Sequence, residues 1–304
     1  MRIVVHGQQA FGKAVLEALL ERGEDVVGVF CGPDREGRPV DPLKAFAEEK
    51  GLSVDQPETW KDPAVWERLG ALKPDLCVMA YVTLFVPQPP LDLPTHGTIQ
   101  YHPSLLPLHR GPSSINWPII MGATQTGLSI FWPDEGLDEG PILMQKTVDI
   151  EPDATLGSIY FNKLFPLGVE AMMESVDLVR DGKAPRVEQD HSKASYESWC
   201  RKADAEVDWS KPAAEVHNLI RGCDPQPGAW TSRDGAALQL YGSTLAADAA
   251  GAAGEVVAVD GDSITIAAQG GGVTIHKVRP AGGGKAGAGE YAAQSDLSVG
   301  ARLG

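Results

Sequence analysis

The sequence predicts a doubly wound α/β domain followed by a small β-barrel, and three observations carry that reading. Short apolar β-type runs alternate with amphipathic helical stretches through the first half of the chain, which is the signature of βαβ units and a parallel sheet. Beyond residue 204 the pattern changes to several short β-type runs separated by turn residues, as a small barrel requires. At 304 residues the chain can hold one large domain and a smaller one, and with 43% hydrophobic and 22% charged residues it has an ordinary globular composition. The expected domains are residues 1–204 and 205–304.

The elements follow in order. Arg2 to His6 is a strand ending at Gly7, a helix runs from about Phe11 to Arg22, and Asp25 to Phe30 is the next strand, which completes a first βαβ unit. The loop Gly32 to Asp41 leads to helices over Pro42 to Lys50 and Ala64 to Leu72, then to the apolar strand Asp75 to Ala80. Thr98 to Tyr101, Thr126 to Trp132 and Ile142 to Val148 continue the strands. Thr155 opens a long amphipathic helix to about Arg180, with a kink expected at Pro166, whose nitrogen cannot donate to the helix. Asp181-Gly182 ends it, and the polar, irregular segment Lys183 to Asp204 reads as an interdomain linker. The second domain has a short helix over Lys211 to Arg221 and β-type runs at Ala229 to Thr231, Leu238 to Tyr241, Gly254 to Val259, Ser263 to Ala267 and Val273 to Val278. The Gly/Ala-rich run Ala281 to Gly289 is too flexible in composition for a strand and is expected to be a loop.

Several function classes are disfavoured. Apolar runs such as Leu76 to Ala80 and Ile264 to Ala268 fall far short of the ~20 residues needed to cross a bilayer, and no apolar leader follows Met1, so a cytoplasmic enzyme is expected. Four widely spaced cysteines without a C-x-x-C pair suggest reduced thiols rather than a zinc site or disulfide framework, and no metal is expected. The net charge of -15 opposes general attraction to phosphate backbones. The turn Gly7-Gln8-Gln9-Ala10-Phe11-Gly12-Lys13-Ala14 is one substitution from a phosphate loop, but Ala14 removes the hydroxyl that would hold magnesium, and the spacing of dinucleotide folds is absent. It reads as a tight strand-to-helix turn with Lys13 solvated, so no nucleotide is expected.

The stretch Gly97 to Gly140 holds the densest set of residues able to do chemistry. It delivers His102 at the carboxyl end of a strand, where Pro103 stops the ladder, and that edge of an open α/β sheet is where ligands bind. A histidine there can act as general acid or base near neutral pH. After the next strand, the glycine-punctuated turn carries Asp134, Glu135, Asp138 and Glu139, so a carboxylate can face the histidine across the same edge.

His102-Pro103-Ser104-Leu105-Leu106-Pro107, with Arg110-Gly111 and Gly136-Leu137-Asp138-Glu139-Gly140, resembles the folate-dependent formyltransferases. The family's His and Asp lie thirty-six positions apart, and here 138 - 102 = 36. Val207-Asp208-Trp209 and Ile220-Arg221-Gly222 are similar to the family's carboxyl-terminal barrel, so the resemblance runs most of the length and implies a Rossmann-like domain followed by an OB-like one. Tyr101-His102-Pro103, Ser129-Ile130-Phe131-Trp132, His217-Asn218 and Pro227-Gly228-Ala229-Trp230 bring it nearest to the hydrolase domain of the 10-formyltetrahydrofolate dehydrogenases. The methionyl-tRNA formyltransferases are more distant, because their basic loop contrasts with the short, slightly acidic Asp34 to Asp41 here.

The resemblance implies 10-formyltetrahydrofolate as formyl donor, with His102 stabilising the oxyanion and Asp138 orienting His102 and helping to accept the nucleophile's proton. Gln100 departs from the family, which usually places Asn there to donate to the oxyanion; it is either a donor on a longer stem or a polar strand residue. The folate is expected on the loop Met79 to Val86, chiefly at Leu84-Phe85-Val86, with Phe85 as plain core the competing reading. Ser104, Leu105, Leu106 and Pro107 would wall the formyl side or serve the loop's own conformation. Arg110 faces either folate's anionic tail or an internal ion pair. Water or a small acceptor leads as formyl acceptor, initiator tRNA is the alternative, and a non-catalytic folate-binding module is the third reading. Residues 205–304 carry seven basic against eleven acidic side chains, a net of -4, which disfavours tRNA.

Overall fold

The computed structural model describes residues 1–304. Its first sheet has seven strands: β1 (Arg2–Gly7), β2 (Asp25–Phe30), β3 (Val54–Asp55), β4 (Leu76–Ala80), β5 (Thr98–His102), β6 (Gln125–Phe131) and β7 (Ile142–Asp149), in the order β3-β2-β1-β4-β5-β6-β7. β1, β2, β3, β4 and β5 pair in parallel, and β6 runs antiparallel to β5. The helices α1 (Gln9–Glu21), α2 (Pro42–Glu49), α3 (Pro63–Ala71) and the short α4 (Gln88–Leu91) connect these strands. α2 and α3 both begin with Pro after an Asp whose carboxylate accepts a backbone N–H of the first turn, from Leu43 to Asp41 and from Ala64 to Asp62, so both helix starts are written in the sequence. The doubly wound expectation is met. Strand order reverses between β1 and β4, and in such sheets ligands bind outside the carboxyl ends at that switch point.

The turn after β1 confirms a tight geometry. A side chain at Gly7 would stand 2.2 Å from the Ala80 carbonyl oxygen, so glycine is required by close approach to β4. Lys13 is not simply solvated, because its Nζ lies 5.2 Å from the centre of the Phe46 ring.

The helices α4 and α5 (Asn116–Ile120) escaped the sequence reading because they are too short to show a period. The long helix is interrupted. It consists of α6 (Leu156–Ile159), a π-helical turn over Tyr160–Leu164 and α7 (Phe165–Arg180), with Pro166 in the first turn of α7. Pro166 has no N–H to return to the preceding turn, and the backbone widens there.

The second sheet is antiparallel: after α8 (Ala213–Gly222) come β8 (Ala229–Arg233), β9 (Ala236–Ala246), β10 (Val256–Val259), β11 (Ile264–Ala268), β12 (Gly271–Pro280) and β13 (Ala286–Gly287), ordered β10-β11-β12-β9-β8 with β13 on β12. Its core joins Val216 and Ile220 of α8 to Leu238, Leu240, Ile264, Ile266, Val273 and Ile275, all buried. The last residues bridge the two edge strands: Gly300 and Leu303 donate to the carbonyls of Val256 and Gly254, and Gly304 donates to Ser232. The run Ala281 to Gly289 is not wholly a loop. Ala286–Gly287 pairs with Lys277 and Val278, and α9 (Ala288–Gln294) follows, with Ala288 and Ala292 buried. Small side chains that read as flexible in composition here permit close packing.

The chain forms two compact units, one of residues 1–112, 127–148 and 163–197, the other of residues 113–126, 149–162 and 198–304. No helix is long and apolar enough to cross a membrane. All four cysteines are free, and burial pushes the thiols of Cys31 and Cys77 up to about 12, which leaves them without thiolate character.

Candidate active site

β5 ends at the carboxyl edge of the first sheet and carries both Gln100 and His102, which project to the same side because strand side chains alternate. Gln100 lies opposite Met79 of β4 and Phe131 of β6, and it is half-buried. His102 is 5% exposed and Asp138 is 6% exposed. His102 Nδ1 stands 3.6 Å from Asp138 Oδ2, so the structure brings together the two residues whose register marked them in the sequence. On the far side of the ring, Nε2 lies 2.9 Å from the carbonyl oxygen of His109. A carbonyl only accepts, so Nε2 carries a proton and, in the neutral ring, Nδ1 is the basic nitrogen.

Asp138 is held on three sides. Its backbone is left-handed, with φ 56°, a conformation that Asp tolerates better than most residues. Gly111 donates its N–H to Asp138 Oδ2 at 2.9 Å, and Gln189 Nε2 donates to the Asp138 and Gly140 carbonyls at 2.9 and 2.8 Å. Gln189 in turn accepts from Arg110 Nη2 at 2.8 Å. Arg110 is buried and its Nη1 pairs with Glu139 at 3.2 Å, which is the ion pair the sequence offered as one of its two roles.

The loop after His102 has its own interior. Ser104 is fully buried and donates to the Leu108 carbonyl at 2.6 Å, and Leu106 is buried. Ser129 accepts from the Leu106 N–H and donates to the Ser104 carbonyl, while Gln145 donates to both Ser129 and the Leu106 carbonyl. Leu105 and Pro107 keep part of their surface accessible. Of the four residues expected to wall the formyl side, Ser104 and Leu106 are thus committed to the loop.

The loop leaving β4 lies at the switch point, beside β5. Val86 is core, Leu84 packs on that core, and Phe85 is 53% exposed, which rules out its reading as plain core. Gln8 ties the loop to the turn after β1 by donating to Thr83 Oγ1 at 3.1 Å.

Four residues of the site were missed: His109, Gln189, Ser195 and Glu197. Gln189 to Glu197 belong to the segment read as a linker. Residues 183–197 of that segment are instead built into the first unit: Val187 exchanges both backbone hydrogen bonds with Ile142, Arg186 lies over the Trp132 ring, and Tyr196 bridges Arg110. Its lack of periodicity correctly indicates irregular backbone but hides its partners, which are about fifty to ninety residues away in sequence. No three His, Cys, Asp or Glu side chains are grouped to hold a metal ion.

Residues 1–176 match the family model described as Formyl transferase, and residues 200–296 match Formyl transferase, C-terminal domain. The chain belongs to the formyl transferase family. This formyl transferase is thereby placed among enzymes of one-carbon transfer. It is 45% identical over 250 residues to mitochondrial 10-formyltetrahydrofolate dehydrogenase of Mus musculus, an alignment covering 81% of this chain and 27% of that one. It is 37% identical to methionyl-tRNA formyltransferase of Trichlorobacter lovleyi over 307 residues, covering 99% of this chain and 96% of that one. The chain thus spans about a quarter of the dehydrogenase and nearly the whole of the tRNA enzyme. Among solved structures, HypX from Aquifex aeolicus in complex with tetrahydrofolic acid shares the fold, with a TM-score of 0.71 at 20% identity over 98% of this chain and 48% of that one. So does the N-formyltransferase from Helicobacter canadensis in complex with folinic acid and dTDP-3-aminofucose, with a TM-score of 0.72 at 19% identity, covering 91% and 98%.

Proposed function

We propose that this formyl transferase hydrolyses 10-formyltetrahydrofolate to formate and tetrahydrofolate, with His102 as general base and Asp138 as its charged partner. The observation that carries the reading is the 3.6 Å gap between His102 Nδ1 and Asp138 Oδ2, two acceptors side by side in a site nearly closed to solvent. A water beside the pair, within hydrogen-bonding distance of both atoms, donates one proton to each. His102 Nδ1 takes one proton as the water oxygen attacks the formyl carbon, and Asp138 stabilises the imidazolium that forms. The negative charge arriving on the formyl oxygen falls to the Gln100 amide, on the same side of β5; a donor of this kind is worth about 3 kcal/mol. As the C–N bond breaks, His102 returns its proton to the departing folate nitrogen. The folate is assigned to the switch-point loop, with Leu84, Phe85 and Val86 beside it and Leu105 and Pro107 on the formyl side. Similarity to the dehydrogenase supports water as acceptor.

The test is incubation with 10-formyltetrahydrofolate alone: formate and tetrahydrofolate should appear in equal amounts over many turnovers, and their absence would refute the reading. A second reading, transfer to methionyl-tRNA, is favoured by end-to-end similarity to a methionyl-tRNA formyltransferase. Against it stands the net charge of -15, because a surface neutralising six or more phosphates needs clustered cations. Formyl-methionyl-tRNA formed in a purified assay would establish that reading.

A further inference from the structure

The side of the His102 ring that faces away from Asp138 is held more closely than the side that faces it. The acceptor there, the His109 carbonyl, belongs to a residue in the left-handed region at φ 55°. Such a backbone persists where its surroundings hold it, and Ser195 to Glu197 do so. Ser195 Oγ accepts the His109 N–H at 2.8 Å, and the Ser195 carbonyl accepts the Arg110 N–H at 3.0 Å. The Ser195 and Glu197 N–H groups donate to the Pro107 and Arg110 carbonyls. Glu197 Oε2 accepts from His109 Nδ1 at 3.0 Å, and both side chains are largely buried. Gly111 completes the fit: a side chain there would stand 2.7 Å from the Glu197 carbonyl oxygen.

We propose that Ser195 and Glu197 are positioning residues that, by fixing the His109 carbonyl, keep the His102 proton on Nε2 and leave Nδ1 free as the base. A neutral imidazole has one proton and two competing acceptors here, a neutral carbonyl at Nε2 and a carboxylate at Nδ1. Hydrogen bonds to a charged acceptor are roughly twice as strong as neutral ones. A ring released from the His109 carbonyl therefore moves its proton to Nδ1, toward Asp138, and the base nitrogen is blocked. The segment prevents this by holding the carbonyl 2.9 Å from Nε2, while the carboxylate stands at 3.6 Å, beyond hydrogen-bonding distance.

The rate effect rests on the hydrolase reading, whereas the proton position does not, so the test has two arms. In full-length protein labelled with 15N-histidine, the ring nitrogens of His102, assigned by their loss in His102→Ala, should show a protonated Nε2 and a bare Nδ1. Glu197→Ala should move the proton to Nδ1 and lower kcat about 10²-fold, the scale of a misplaced catalytic group, with KM for folate within about twofold of wild type. Glu197→Gln, whose amide oxygen still accepts from His109, should retain the wild-type tautomer and most of kcat. If Glu197→Ala does not fold, Ser195→Ala carries the same test. A wild-type tautomer in the folded variant overturns the proposal, whether or not kcat falls. If the protein releases no formate at all, the tautomer shift alone still decides the positioning claim, and the hydrolase reading fails separately.

Discussion

Asp138→Asn tests the site's electrostatics with almost no change of shape. The asparagine oxygen can still accept the Gly111 N–H, and the backbone that Gln189 grips is unchanged, so the turn should stay in place. What is lost is the negative charge facing the imidazolium that forms during attack. Two unit charges 3.6 Å apart attract by about 4 to 5 kcal/mol at an effective dielectric constant of about 20, and because both side chains are almost fully buried, solvent does little to weaken the pair. At 1.36 kcal/mol per decade, kcat for formate release should fall about 10³-fold. Folate affinity should stay within about threefold, since the charge acts on the transition state and not on the pterin. The assay is steady-state formate release beside equilibrium folate binding. A variant within tenfold of wild-type kcat would refute the roles given to the pair.

Burial lowers the His6 pKa from 6.5 to about 3, so the folded state holds it neutral while the unfolded chain protonates below 6.5. Its stabilising contribution is full above pH 6.5 and is lost as pH falls toward 3, by about 2 kcal/mol at pH 5. Urea unfolding of wild type and His6→Phe at pH 7 and pH 5 should show the variant losing about 2 kcal/mol less; equal losses would contradict this. Burial lowers the His217 pKa as well, and its contribution has the same sign and remains in both proteins. Gly111→Ala places a side chain on a backbone at φ 100° and against the Glu197 carbonyl, so it should cost about 1 to 3 kcal/mol in denaturant unfolding and reduce kcat more than it raises KM. Wild-type stability and kcat would show that the loop does not need this contact.

The sequence made the parallel strands and the pairing of His102 with Asp138 readable for different reasons. The strands are apolar runs whose period and punctuation are local, and the His102–Asp138 pair was found through a family spacing that no local rule encodes. His109 was unreadable because its contribution is a backbone carbonyl, which any residue supplies. Gln189, Ser195 and Glu197 act through hydrogen bonds to groups about fifty to ninety residues away, and polar side chains in an irregular segment look the same whether they face solvent or a buried loop. α9 was hidden because Ala288 and Ala292 are chosen for smallness at a packed surface, and small residues in a glycine-rich run mimic a flexible loop.

The central claim, that water bound beside His102 and Asp138 attacks the formyl carbon, is tested most directly in water enriched in 18O with 10-formyltetrahydrofolate as the sole substrate. Mass spectrometry of early product should show one 18O atom in each formate, at a rate that His102→Ala and Asp138→Ala each abolish. Formate without the label, or labelled formate released equally fast by either variant, would contradict the account.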